Sequence, residues 1–279
     1  GQCQGGVRWN SSSQSGRRRY HFNPTVNLMF TWFYRLIGEI GSFGFFCWQV
    51  LRAMFRPPFF WHETIRAMYT TGFQCLLPVL AIVVPTGMVT TLQGLQVFEM
   101  FGAQRLLSSL LAEAIFRELS PTLVSIMVAS QAGSAVSGEI GTMRVKEEID
   151  AMEVMGVNSL NYLILPKVAA AFIYFPILVI FSMFLGLSGG FLAVVISGLL
   201  SPQNFVLGLR SWFDTYNIVY ALTKTVAFGF FIVSISSFYG YYVKGGALEV
   251  GKSSTRAVVV SSVVILIFNF IITKLMLLK

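Results

Sequence analysis

Five long stretches of this chain contain no Asp, Glu, Lys or Arg. A helix that crosses the hydrocarbon core of a bilayer needs about 20 mostly apolar residues, and each stretch approaches or exceeds that length. The chain is also 55% apolar and only 11% charged, unlike a soluble domain. The sequence therefore predicts an all-α integral membrane protein. Its five predicted spans are Phe73–Phe98, Leu119–Gly138, Ile173–Leu200, Val226–Val243 and Ala257–Thr273.

The basic residues are distributed unevenly around these spans, and the bias predicts orientation. Lysine and arginine concentrate in the cytoplasmic connections of membrane proteins. Of the 20 basic residues, 14 precede Thr70 or lie in the connections between spans 2 and 3 and between spans 4 and 5. With five crossings, the N-terminus is expected in the cytoplasm and the C-terminus on the opposite side. No nucleic-acid partner is expected.

The region before span 1, residues 25–69, is predicted to carry a helix that lies in the headgroup layer. Its segment Leu28–Phe55 is rich in aromatic residues but is interrupted by Arg35, Glu39 and Arg52. Such a helix turns its arginines towards anionic lipid. Arg56-Pro57-Pro58 is expected to end it. A short true span is the alternative.

Residues 1–24 form a separate N-terminal tail in this prediction. The first 22 residues contain four arginines and no acidic residue. They lack the apolar core of a secretory signal. We expect a basic disordered tail, and an organelle transit peptide has the same composition.

No cofactor or metal site is predicted in the chain itself, and it is not expected to be an enzyme. Cys3, Cys47 and Cys75 lie too far apart for a cysteine-based metal site or a disulfide framework. Gly246–Ser253 spells the nucleotide-binding pattern G-x-x-x-x-G-K-S. A working loop of this kind joins a buried strand to a helix, whereas this one joins two membrane-length segments. We therefore interpret it as a loop between spans.

Span 2 has an unusual composition for a membrane helix, because small and hydroxyl residues fill it. Ala129, Ala132 and Gly133 allow close backbone approach, and serines such as Ser125 and Ser137 can bond across helices. The span is therefore predicted to be central and to face protein. It could pack tightly, line a pathway, or do both against a second copy of the chain.

Four ionisable residues lie near the predicted outer ends of spans 2 and 4. They are Glu113, Arg117, Glu118 and Lys224. Ionisable groups at membrane depth are costly and are usually paired or face a watery cavity. Arg117, Glu118 and Lys224 are therefore candidates for contact with a charged headgroup. Mutual ion pairing without a substrate role is the alternative.

The connection Glu139–Gly156 is predicted to be a charged amphipathic helix. Val145, Ile149, Met152 and Met155 recur at helical spacing, and Lys146 is expected to pair with Asp150. Acidic residues outnumber basic ones, which favours docking on protein over lipid. The candidate docking residues are Glu139, Arg144, Glu147, Glu148, Asp150 and Glu153. A solvated interfacial helix is the alternative.

Several of these segments together resemble the MlaE permease family. They are RELSP at 117–121, QAGSAVSGEIGTMRVKEEIDAMEVMGVN at 131–158, LPK at 165–167 and STRAVV at 254–259. The similarity runs from about Thr70 to the C-terminus. Many members have an arginine in the motif that reads Ala129–Ala135 here, and this chain lacks it.

The resemblance implies a homodimeric ABC-transporter permease in a Gram-negative inner membrane, or in a chloroplast inner envelope. Such permeases move phospholipid between the inner membrane and a periplasmic MCE-domain assembly, which serves outer-membrane lipid asymmetry. A separate ATPase holds ATP and Mg²⁺ and docks on the coupling helix, about residues 139–156. The permease domain would span residues 70–279. The implied lipid-binding residues are Arg117, Glu118, Lys224, Val84, Met88 and Leu92.

Two other classes of function remain open at this point. An ion-coupled secondary carrier would use broken helices, and Pro78, Pro85 and Pro176 interrupt spans 1 and 3. No internal repeat accompanies them. A scaffold that transports nothing would hold no lipid and would leave the ATPase rate of its partner unchanged.

Overall fold

The computed structural model describes residues 24–54, 61–100, 104–198, 200–211 and 214–277. Most of the predicted tail, residues 1–24, lies outside this range. The chain divides into two compact units, Gly1–Ser42 and Phe43–Lys279. All regular elements of the described residues are helical, and five helices are long and apolar enough to cross a membrane. The chain is therefore an all-α, multi-pass membrane protein, as predicted.

The helices are labelled in chain order, and short π-helical turns interrupt spans 1 and 2 and begin span 3. Span 1 comprises α2 Trp61–Ala67, π Met68–Gly72 and α3 Phe73–Met100. Span 2 comprises α4 Gln104–Ala114, π Ile115–Leu119, α5 Ser120–Val128, π Ala129–Gly133 and α6 Ser134–Val145. Span 3 comprises π Leu160–Ile164 and α8 Leu165–Ser197. Span 4 is α10 Thr215–Tyr241, and span 5 is α11 Ala247–Leu277. The other helices are α1 Pro24–Met54, α7 Glu148–Val154 and α9 Pro202–Ser211.

The helix of span 1 begins earlier than the predicted domain boundary at Thr70. It starts at Trp61 and includes His62, Glu63 and Arg66. The charge-free run marks only the part of a helix that suits hydrocarbon, whereas charged residues also form good helical turns. Hydropathy therefore locates the crossing but not the helix end.

The bundle has two ends, which we name by their connections. The basic end carries the connections between spans 2 and 3 and between spans 4 and 5. The opposite end carries α9 and the connection between spans 1 and 2. The last turns of α1 pack at the basic end, where Phe46 is 1% exposed and its ring lies 5.5 Å from that of Phe238. Helix α1 is not among the five candidate spans.

Spans 1 and 3 approach each other so closely that only glycine fits at the contact. A Cβ atom on Gly87 would lie 2.2 Å from the carbonyl oxygen of Gly186. A Cβ on Gly189 would lie 2.4 Å from the carbonyl oxygen of Val84. Both distances are far below a van der Waals contact, so these glycines set the spacing between the two helices.

Span 2 packs against the centre of the bundle on one face, as predicted. Ala129, Ala132 and Gly133 are buried against the interior. Ser125 and Ser137 are also buried, but their hydroxyls bond no other described residue. The predicted bonds across helices are therefore absent at these two serines, whose small size instead permits close packing. The other face leaves Ser130 and Gln131 exposed.

The nucleotide-binding pattern begins in the connection after span 4 and continues into the helix of span 5. Helix α11 begins at Ala247, so most of the pattern is helical. Lys252 forms an ion pair with Glu249 at 2.7 Å, and Ser253 donates to the carbonyl oxygen of Tyr239. The segment leads from span 4 into span 5, but its interpretation as a loop is wrong for residues 247–253, which form the first turns of α11.

Candidate functional site

At the opposite end of the bundle, a buried lysine of span 4 is bound to a glutamate of span 2. The side chain of Lys224 is 0% exposed. Its ammonium donates to a carboxylate oxygen (Oε1) of Glu118 at 2.8 Å. Charged groups at membrane depth persist when they are paired in this way. The structure thus brings together two of the three residues singled out as headgroup candidates.

Three polar side chains complete the coordination of Glu118. Asn269 donates to Oε2 at 3.0 Å, while Thr273 donates to Oε1 at 3.3 Å. The Tyr220 hydroxyl lies 3.4 Å from the same Oε1. The Lys224 ammonium also sits 4.5 Å from the centre of the Tyr220 ring, a favourable cation–π distance. Spans 2, 4 and 5 therefore meet at one carboxylate.

The RELSP segment explains why this region accepts a buried ammonium. Pro121 has no backbone N–H, so it cannot bond the carbonyl oxygen of Arg117 four residues earlier. The Lys224 ammonium lies 3.3 Å from that oxygen and donates to it. The adjoining turn Ile115–Leu119 is π-helical, a distortion common at functional sites. The proline therefore leaves the carbonyl oxygen of Arg117 available as a second acceptor for the Lys224 ammonium.

Arg117, the third headgroup candidate, points to a different set of partners. Its Nε donates to the side-chain oxygen (Oδ1) of Asn217 at 2.8 Å, and Nη1 pairs with Glu113. Among the described residues, Nη2 bonds no acceptor. The Arg117 side chain is 25% exposed and the Glu118 side chain 42% exposed. An external group can therefore reach both side chains, but not Lys224 directly.

The apolar candidates lie along one side of span 1. Val84 and Met88 are half-buried, and Leu92 is 40% exposed. Their spacing of four residues places them on one helical stripe that leads towards the opposite end. This stripe offers an apolar surface to a ligand.

At the basic end, the acidic connection between spans 2 and 3 is not one continuous helix. Helix α6 ends at Val145, and Glu147 takes a left-handed conformation (φ 63°) before α7 begins at Glu148. The prediction of unbroken helix over residues 139–156 is therefore wrong. The buried side chain of Ile149 (0% exposed) holds α7 against the bundle. Its anchoring matches the apolar stripe seen in the sequence.

The break also changes the predicted ion pairs. Asp150 bonds Arg144 at 2.6 Å rather than Lys146, and Lys146 lies 4.0 Å from Glu148. An i, i+4 pair requires continuous helix, which the turn at Glu147 removes. Glu139, another docking candidate, forms an ion pair with Lys167 of span 3.

Glu153 joins the acidic connection to span 4. The hydroxyls of Tyr241 and Ser159 donate to its Oε1 at 2.8 and 3.0 Å. These two hydrogen bonds hold the pKa of Glu153 below its ordinary value. Arg144 lies over the Tyr241 ring at 5.8 Å from its centre. These contacts therefore link α7 to the last turn of span 4.

Sequence reasoning missed several residues of both clusters. Asn269 and Thr273 had a usable signal, because they are polar, lie in an apolar span and are four residues apart. Tyr241 and Ser159 gave no usable signal in the sequence, since hydroxyl groups at helix ends are common. Only the fold brings these two residues to Glu153.

Comparison with known proteins identifies a family. The family model described as "Permease MlaE" matches residues 64–275. A probable ABC transporter permease protein of Rickettsia bellii is 35% identical over 241 residues, which cover 86% of this chain and 93% of that protein. The intermembrane phospholipid transport system permease protein MlaE of Haemophilus influenzae is 32% identical over 245 residues, covering 88% and 93%. The Arabidopsis thaliana protein TRIGALACTOSYLDIACYLGLYCEROL 1, chloroplastic, is 35% identical over 233 residues, covering 81% and 65%.

Proposed function

The chain belongs to the MlaE permease family, and from this membership and its ion-pair cluster we propose that it is the membrane subunit of an ATP-driven phospholipid transporter. In this proposal, the chain moves lipid between the inner membrane and a periplasmic MCE-domain protein. ATP and Mg²⁺ bind to a separate ATPase subunit. The Haemophilus influenzae relative, a phospholipid transport permease by name, supports the choice of substrate.

The observation that carries this proposal is that the partly exposed side chains of Arg117 and Glu118 lie next to each other in sequence, with Glu118 bound to the buried Lys224. A phospholipid headgroup carries a phosphate and often an ammonium or hydroxyl group. The Arg117 Nη2, which bonds none of the described residues, would donate to the phosphate, and the exposed part of the Glu118 carboxylate would attract a positively charged headgroup. Val84, Met88 and Leu92 would receive the acyl chains on the neighbouring apolar stripe.

The acidic connection at the basic end is the proposed docking site for the ATPase. It presents apolar and acidic side chains together: Val154 is 89% exposed and Met155 71% exposed, next to the carboxylates of Glu148 and Asp150. Exposed apolar residues with a charged rim are typical of a protein interface. The basic end would then face the cytoplasm, in agreement with the distribution of Lys and Arg.

A second copy of the chain is the proposed cover for the exposed polar face of span 2. Ser130 and Gln131 are exposed within a membrane-length helix. Span 5 is also the least buried span, with 11% of its apolar window shielded. Polar side chains that face hydrocarbon are unfavourable, and contact with a symmetry mate would remove the penalty. A homodimer would therefore enclose a cavity between two copies.

The transport cycle would couple the two ends. ATP binding would draw the two acidic connections together, and the Glu153–Tyr241 contact would transmit this to span 4, which carries Lys224. ATP can drive lipid only if the two states bind it with different affinity. Displacement of span 4 relative to span 2 would change the headgroup site in this way.

Lipid-stimulated ATP turnover of the purified complex tests this function. Wild-type complex should hold phospholipid, detected by mass spectrometry, and its ATPase rate should rise when lipid is added. Glu148→Lys with Asp150→Lys, or Val154→Asp alone, should reduce co-purification of the ATPase. Absence of bound lipid with an unresponsive ATPase would instead indicate a scaffold. Transport that responds to an ion gradient without ATP would indicate a secondary carrier.

A further inference from the structure

A pocket of about 240 Å³ lies at the basic end, at the opposite end of the bundle from Lys224 and Glu118. One wall is the last turns of α1, and the other is the start of span 3. The α1 wall is held in place because Phe46 and Val50 are 1% and 3% exposed. The pocket is lined by Gln49, Arg52, Ala53, Asn158, Leu160 and Asn161.

The lining of this pocket offers hydrogen-bond donors and one full positive charge. Arg52 forms no ion pair within the described part of the chain. Asn158 uses its side-chain oxygen to accept from the backbone N–H groups of Leu160 and Asn161 at 3.1 and 3.4 Å. Its NH₂ group is therefore left as a donor. The amides of Gln49 and Asn161 add further donors, and no carboxylate lines the pocket.

This chemistry selects an anion with several acceptor oxygens. A guanidinium with nearby amide donors suits a phosphate group, which it binds through charge-assisted hydrogen bonds. The start of span 3 also contributes the positive end of a helix dipole. The pocket is large enough for a phosphodiester and its glycerol, but not for a whole lipid.

The surroundings favour a membrane lipid as the source of that phosphate. Phe45 and Trp48, on the same helix as Arg52, are 64% and 65% exposed. Exposed aromatic side chains beside a basic residue are typical of helices at the membrane–water interface. Acyl chains could lie against these rings while the headgroup enters the pocket.

We propose that this pocket binds the phosphodiester of an anionic phospholipid that serves as a structural ligand, separate from the transported lipid. The bound lipid links α1 to the Asn158–Asn161 turn. That turn leads directly from the acidic connection into span 3. The lipid therefore stiffens the joint between the proposed ATPase-docking segment and the bundle. The binding site itself does not depend on the proposed transport function.

Lipid binding to the full-length chain in phosphatidylcholine nanodiscs tests this proposal, with phosphatidylglycerol added as the probe. Wild type should bind phosphatidylglycerol and melt at a higher temperature when it is present. Arg52→Gln should weaken binding by about tenfold, the effect of one charge-assisted hydrogen bond. Asn161→Leu, which keeps the net charge, should also weaken it. Unchanged phosphatidylglycerol binding in Asn161→Leu would show that the lipid does not bind in this pocket.

A matched control separates the pocket from general attraction to a basic surface. Arg66 is an exposed arginine at the same end, on α2, and Arg66→Gln should leave phosphatidylglycerol binding unchanged. Equal losses in Arg52→Gln and Arg66→Gln would show that net charge alone attracts the lipid. A second arm adds inorganic phosphate without phosphatidylglycerol. If millimolar phosphate raises the melting temperature as much as the lipid does, the site is for a soluble anion and the lipid assignment fails.

Discussion

The Lys224 ammonium lies where solvent does not reach, so the stability of the folded protein depends on its ion pair with Glu118. Glu118→Gln keeps the shape but removes the counter-charge. Loss of one partner of a buried pair is expected to cost about 3 kcal/mol. Lys224→Met added to Glu118→Gln should restore part of that loss, because no uncompensated charge remains. Unfolding of the detergent-solubilised protein measures both effects.

Glu113→Gln is the matched control for this experiment. Glu113 is as exposed as Glu118, at 42% for both side chains, but its partner Arg117 is 25% exposed, whereas Lys224 is 0% exposed. Exposed pairs contribute at most about 1 kcal/mol. If Glu113→Gln and Glu118→Gln were equally destabilising, the burial of Lys224 would not be the cause.

Tyr241→Phe should weaken the joint between α7 and span 4 in a pH-dependent way. The hydroxyls of Tyr241 and Ser159 lower the pKa of Glu153 from its ordinary 4.5. The resulting stabilisation is therefore complete above that ordinary pKa and is lost as pH falls through the lowered one. For an exposed carboxylate we expect less than about 1 kcal/mol. The difference in melting temperature between wild type and Tyr241→Phe should shrink on acidification.

Tyr242→Phe provides the comparison for that pH series. Tyr242 is 55% exposed and lies one residue beyond Tyr241. Its hydroxyl has no contact with Glu153, so its removal should leave the pH dependence unchanged. A wild-type pH profile in Tyr241→Phe would mean that these hydrogen bonds do not stabilise the joint.

At the scale of elements, the packing of span 1 on span 3 depends on two backbone contacts. Gly189→Ala would place a methyl group 2.4 Å from the carbonyl oxygen of Val84, so the helices must separate. Overpacking of this kind costs about 1–3 kcal/mol. Gly251→Ala, in the open space around α11, should instead stabilise the chain by about 0.4–1 kcal/mol. Thermal unfolding of the two variants should therefore shift in opposite directions.

The elements also show what the sequence could predict. Charge-free length located all five spans, and the small residues of span 2 predicted its buried face. The turn at Glu147 could not be predicted, because each neighbouring residue is compatible with helix. The turn accompanies the burial of Ile149 against the bundle, a long-range contact that no local pattern contains.

The candidate headgroup site could also be predicted only in part. Arg117, Glu118 and Lys224 stood out because charges near apolar spans are rare. Which residues pair with each other could not be predicted, because helix rotation decides whether Glu113 or Glu118 faces Lys224. Asn217 and Tyr220 joined the cluster only through packing, since polar residues near the start of a span are ordinary.

For the whole molecule, a homodimer predicts where two copies can be linked. A cysteine introduced at Gln131 should form cross-linked dimers with a short bifunctional maleimide in membranes. Phe184, on span 3 and 71% exposed, is the control position and should not. The three native cysteines, Cys3, Cys47 and Cys75, would first be replaced by serine or alanine. Equal cross-linking at both positions would argue against a dimer through span 2.

The most direct test of the central claim is transfer of phospholipid by the reconstituted complex. The chain, its ATPase and its MCE-domain partner would be placed in vesicles with a labelled phospholipid, and ATP-dependent movement to the MCE protein measured. Arg117→Gln should slow transfer about tenfold, whereas Arg210→Gln, an exposed arginine of α9 at the same end, should not. ATP-independent transfer, or equal rates in wild type and Arg117→Gln, would contradict the account.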